Sequence, residues 1–185
     1  MADIQLYSLS QRLLHWFTAL LVIPALAGGI LLGTLGFEGV RDAFGMEVTN
    51  VLYAAHKTTG VLILVVVLVR LGVRLTLGAP APAPTLTPVE RWASRSVHTL
   101  LYLVLIVQPL LGWLATAAGG YPVEFFGWNL PGLVAKDKAL SEILFQAHGL
   151  LGFSLLLLLG LHIAGALRHW LIKRDGVMRR MSLLS

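Results

Sequence analysis

The chain has 185 residues, 57% of them hydrophobic and only 12% charged, with a mean hydropathy of +0.80. That balance excludes an ordinary soluble domain. The absence of cysteine excludes disulfides and iron–sulfur clusters, and the formal charge of +5 forms no basic face suited to nucleic acid.

Taken in chain order, four apolar stretches are long enough to cross a bilayer: 13–33, 52–71, 97–118 and 147–167. Helices are predicted over about 11–34, 51–75, 96–118 and 143–171, all within a single domain spanning 1–185. The first stretch is too long for a cleavable signal and carries His15, so it reads as a retained helix. Pro24 and Pro109 lie mid-span, where each is expected to kink its helix. Residues 35–51 read as a short loop with Glu38, Arg41, Asp42 and Glu47, and residues 78–88 (GAPAPAPTLTP) as an extended connector. Residues 119–142 form a longer loop, and its aromatics Tyr121, Phe125, Phe126 and Trp128 read as a cap over one end of the bundle.

Ten of the fourteen Lys and Arg lie at the termini or between the second and third spans: Arg12, Arg70, Arg74, Arg91, Arg95, Arg168, Lys173, Arg174, Arg179 and Arg180. Only Arg41, Lys57, Lys136 and Lys138 fall on the opposite side. The positive-inside rule therefore predicts both termini in the cytoplasm, with the C-terminal arginines against lipid headgroups.

Histidine carries the chemistry. His148 and His162 are fourteen residues apart in one apolar run. On an α-helix that spacing returns to within about 40° of the same face, about 21 Å further along the axis. Ionisable groups inside a span are functional candidates by default. Sorted by depth, the six histidines give an outer pair, His56 and His148, and an inner group, His15, His98 and His162. His169 falls beyond the apolar core beside Trp170 and reads as an interfacial residue. His15 lies within its apolar run, whereas His98 follows the polar SRS, so the inner pair is taken as His15 with His162. His98 is left as an interhelical hydrogen-bonding residue, with a ligand or a proton relay to quinone as the other roles open to it.

Two imidazole pairs at two depths suit two stacked haems. Gly60 and Gly152 each follow a ligand histidine by four residues and leave a thin helix surface for a flat ring. Arg70 follows His56 by fourteen and so projects towards the inner group, where a haem propionate would supply its anion. Arg74 and Arg12 are weaker candidates for the same role. Without a C-x-x-C-H motif the haems are of b type, and histidines spread over two depths without carboxylates argue against zinc. With both axial positions filled, the iron is suited to one-electron transfer.

The segment RLLHW opening the first helix, H-x3-G followed by R-x3-R on the second, and H-x13-H on the fourth together resemble the prokaryotic cytochrome b561 family over essentially the whole chain. The resemblance implies an all-α membrane protein of the bacterial inner membrane. Its fold would be a four-transmembrane-helix bundle with both termini cytoplasmic and two stacked b haems. It implies the same ligands, His15 with His162 and His56 with His148. It also implies electron transfer to the ubiquinone pool. The activity expected is superoxide:ubiquinone oxidoreductase, with Lys57 steering the anion alongside Lys136 and Lys138. The alternative is an electron-relay subunit that docks a dehydrogenase or hydrogenase.

Overall fold

The computed structural model describes residues 5–184, and these are mostly helical. Helix α1 runs over Leu9–Leu77, and its start is fixed by a capping box in which Ser8 and Gln11 satisfy each other's backbone amides. Its dihedrals leave the helical region twice, at Gly36 (φ 66°, ψ 176°) and Gly45 (φ 81°, ψ 163°). Both are positive-φ positions that glycine occupies without a Cβ penalty. The two breaks leave arms 9–35 and 46–77 joined by a helical bridge over 37–44. The bridge covers part of the segment expected to be a loop, and within it Arg41 pairs with Glu38 and Asp42. The arms fold back on each other. At one end Gln11 Nε2 donates to the Gly78 carbonyl at 2.7 Å, and at the other the Phe37 and Tyr53 rings lie 5.6 Å apart.

Helix α2 (Pro88–Ala118) begins well before the expected residue 96. Thr87 and Glu90 form a second capping box and Pro88 occupies the first turn, so the end of the Pro/Ala connector is itself the helix start. The aromatic stretch that follows folds as an antiparallel hairpin of β1 (Val123–Phe125) and β2 (Trp128–Leu130). Its two turn residues, Phe126 and Gly127, both have positive φ. Helix α3 (Lys138–Leu167) is capped by Asp137 and continues into a π-helical turn, Arg168–Lys173. Lys138 thus opens a helix rather than sitting in the loop.

All three helices are long and apolar enough to cross a membrane. Their outward faces are apolar and open, with Leu20 67%, Leu150 72% and Leu157 70% exposed. Faces of that kind are solvated by lipid.

Both described chain ends meet at one end of the bundle. The Tyr7 amide donates to the Arg180 carbonyl, Trp16 Nε1 to Met181 and Arg12 to Ser182. Arg168 and Lys173 both pair with Glu90, and His169 Nδ1 meets Asp175 at 2.7 Å. Hydrogen bonds from Lys173, the Thr87 amide and Arg168 hold the Glu90 carboxyl far below its usual value. Burial alone would raise Asp175, but bonds from His169, the Val177 amide and Thr85 outweigh it and leave that carboxyl below its usual value. The hairpin closes the other end.

Candidate functional site

Each long helical segment carries three residues at seven-residue spacing: His15, Val22 and Gly29; His56, Ile63 and Arg70; His98, Leu105 and Gly112; His148, Leu155 and His162. Seven steps return to within about 20° of the same face, about 10.5 Å further on. The four middle residues are all buried and meet in one core cluster with Val67 and Val104. An apolar floor therefore separates two polar layers. Gly29, His56, Gly112 and His148 form the layer near the hairpin. His15, Arg70, His98 and His162 form the layer near the termini.

In the hairpin-end layer the His56 and His148 rings are 6.2 Å apart between centroids, with their planes at 85°. In the terminus-end layer the His15 and His162 rings are 5.9 Å apart at 59°. Two metal–imidazole bonds of about 2.0–2.1 Å, plus about 1.1 Å from each nitrogen to its ring centre, require about 6.3 Å. Both separations are close to what two imidazoles sharing one metal ion would need. His98 lies only 5.1 Å from His162, and its Nδ1 donates to the Ser94 carbonyl at 2.6 Å. Among the described residues, no group of three or more His, Cys, Asp or Glu is arranged to hold a metal ion.

Glycine makes room for the hairpin-end pair. A Cβ on Gly29 would stand 2.9 Å from His56 Cε1, and one on Gly112 would stand 3.0 Å from His148 Cε1 and 3.2 Å from its Nδ1. Each imidazole is thus seated edge-on against the backbone of a neighbouring helix. His148 Nδ1 donates to the Gln108 carbonyl at 3.0 Å, and Gln108 Nε2 donates back to the His148 carbonyl at 2.9 Å. That exchange leaves His148 Nε2 as the nitrogen free to ligate. His56 Nδ1 is buried without a hydrogen-bond partner among the described residues. A cavity of about 230 Å³ opens beside the pair, lined by Gly33, Gly60, Gly149, Gly152 and Phe153 among others. A Cβ at Gly60 would meet nothing within 4 Å, and one at Gly152 would lie 3.3 Å from Gln108 Nε2.

Arg70 Nη2 lies 2.9 Å from His15 Nδ1, and its guanidinium covers the Tyr102 ring at 5.3 Å. Among the described residues it has no carboxylate partner. Arg74 stacks over Tyr7, and Arg12 Nε is buried without a partner. A buried cation beside a histidine pair suits a ligand that brings its own carboxylates. Lys57 pairs with Glu124 at 3.0 Å and donates to the Pro122 carbonyl, which fastens the hairpin next to His56.

The seats at Gly29 and Gly112 and the Gln108 exchange are absent from the sequence reading. The seven-residue register that links Gly29 to His15 and Gly112 to His98 was the available signal.

A family model described as prokaryotic cytochrome b561 matches residues 6–182. The chain belongs to that family. It is 29% identical over 176 residues to cytochrome b561 homolog 2 of Escherichia coli (strain K12), covering 95% of this chain and 90% of that protein. It is 25% identical over 175 residues to cytochrome b561 homolog 1 of the same organism, covering 95% and 96%. This cytochrome is accordingly a membrane electron-transfer protein of a family that binds haem b.

Proposed function

We propose that the chain crosses the bacterial inner membrane four times, with the terminus end in the cytoplasm, and holds two haem b groups. His56 and His148 would ligate one and His15 and His162 the other. The observation that carries this reading is the pair of ring separations, 6.2 and 5.9 Å, in two layers divided by an apolar floor. The two arms of α1 supply two crossings, and α2 and α3 one each. Ten of the fourteen basic residues cluster at the terminus end, which supports its cytoplasmic placement. When bound, haem b supplies a one-electron couple between ferric and ferrous iron.

The chain's own residues then have defined tasks. The Gln108 carbonyl orients His148, and Gly29 and Gly112 admit the ligand rings. Arg70, with Arg74 and Arg12 nearby, would meet the carboxylates of a haem bound at the terminus end. The apolar floor of Val22, Ile63, Leu105 and Leu155 excludes water between the layers.

The activity we infer is oxidation of superoxide at the hairpin end coupled to reduction of ubiquinone from the membrane pool. Lys57, adjacent to His56, offers a small anion a cation in competition with Glu124, which lies 3.0 Å from it. His98, with Nε2 free and its ring against His162, supports a proton-carrying role at the other end. The exposed hairpin aromatics Phe126 and Trp128 favour a second reading, an electron-relay subunit whose dehydrogenase or hydrogenase partner docks there. Purified protein mixed anaerobically with superoxide, with and without a ubiquinone analogue, separates the two. Haem reduction that the quinone reverses supports the oxidase. Reduction by dithionite but not by superoxide points to the relay.

A further inference from the structure

The two layers have matching geometry but different charge. Around the hairpin-end pair the remaining positions are glycines, Gly29 and Gly112. Around the terminus-end pair the same register positions hold Arg70 and His98. Arg70 is half-buried and touches His15 directly. The charged and titratable groups facing it are Arg74, Tyr7, Tyr102 and His15, with His98 and Arg12 in the same end of the bundle. None is a carboxylate. The acids described at this end, Glu90 and Asp175, are engaged by Arg168, Lys173 and His169. At the hairpin end Lys57 is matched by Glu124.

A fixed positive charge stabilises whichever state of a neighbouring group carries one more electron. It does so with little screening where water is excluded. Arg70 keeps its proton at any accessible pH, so its charge is permanent. Arg70 only donates, so against His15 Nδ1 it leaves the proton on Nε2; with Nε2 given to a haem iron, Nδ1 takes that proton and the guanidinium is released to a haem carboxylate, where the terminus-end layer still carries one more positive charge than its counterpart.

We propose that Arg70 raises the reduction potential of the terminus-end haem above that of the hairpin-end haem, so that electrons run downhill from the hairpin end to the terminus end. With both haems bound, the step would be a one-electron exchange, the hairpin-end iron oxidised from ferrous to ferric and the terminus-end iron reduced from ferric to ferrous, with no atom transferred. This rests on the two-haem reading above, but not on the identity of the donor or the acceptor.

The test is a potentiometric titration of the purified holoprotein, followed optically and by electron paramagnetic resonance. Haem content per chain is measured first. A content of one overturns the two-haem reading and this proposal together. With two haems present, the wild type is expected to titrate in two steps. His56→Ala, which keeps only the terminus-end haem, should retain the higher step. Arg70→Met should move that step down and close most of the gap, whereas Arg70→Lys should keep it. Because the guanidinium is held half-buried against His15 and Tyr102, added salt should narrow the gap far less than Arg70→Met does. An unchanged gap in Arg70→Met overturns the proposal, as does a His56→Ala protein that retains the lower step. The second result stands even if Arg70→Met does not assemble.

Discussion

Gly29→Ala is the sharpest perturbation available, because the structure sets its size. The added methyl would stand 2.9 Å from His56 Cε1, where carbon atoms in contact settle at about 3.5–4.0 Å. The shortfall of about 0.6 Å or more must be absorbed by the imidazole or by the backbone of the first arm of α1. Metal–ligand distances tolerate only about 0.2 Å. A ring pushed that far leaves its axial position, and the expected loss in affinity at the hairpin-end site is about 10- to 100-fold or greater, the scale found for disturbed ligand supports. The assay is haem content by the pyridine haemochrome method after extended dilution, with low-spin signals resolved by electron paramagnetic resonance. Haem per chain should fall from two towards one, with the His15/His162 signal intact. Gly28→Ala is the control, since its Cβ would meet nothing within 4 Å. Full retention of two low-spin haems in Gly29→Ala would refute the seating argument. Gly112→Ala, with closest contacts of 3.0 and 3.2 Å, should show the same defect in milder form.

Other outcomes follow from the same geometry. His162→Ala should abolish the terminus-end haem while His98→Ala keeps both, as read by haem content; loss of a haem in His98→Ala would move the ligand assignment. Glu124→Gln frees the Lys57 charge beside His56 and should speed haem reduction by superoxide several-fold at low ionic strength, an advantage that disappears as salt is added. Asp175→Asn should lower the thermal midpoint at neutral pH by a few degrees. The folded carboxyl lies below its ordinary value of 3.8, so its contribution is complete above that value and fades as the pH falls through it towards the folded one. Melting curves of mutant and wild type should therefore converge in acid. A constant offset down to the lowest pH at which both fold would remove the His169–Asp175 contact from the account.

Much of the site could be read from spacing because helix geometry converts residue number into direction and depth. The fourteen-residue steps from His148 to His162 and from His56 to Arg70 are statements of this kind. Close approach between helices leaves a fainter signature. Gly29 and Gly112 matter through what stands opposite them, and only their fourteen-residue steps from His15 and His98 set them apart from Gly28 or Gly149. The start of α2 could have been read from Thr87, Pro88 and Glu90, but the preceding Pro/Ala run dominated that stretch. The hairpin was hidden for another reason. Strands of three residues carry too little alternation to register, and the turn depends on Phe126 adopting a left-handed conformation that its residue type disfavours. The His169–Asp175 contact follows a π-helical turn, where counting in steps of 100° no longer applies.

The fastening at the terminus end also has a meaning in time. Residues 176–182 bond to Tyr7, Arg12, Trp16 and Ala81, all of which leave the ribosome much earlier. Until that last stretch is made, the terminus end beside His15 lacks these bonds, and afterwards the two ends of the chain hold it together. On the two-haem reading, synthesis therefore leaves an interval in which a bulky flat molecule can enter between His15 and His162, followed by a stitch that retains it. A chain stopped after Lys173 should load a haem there readily and also lose it readily.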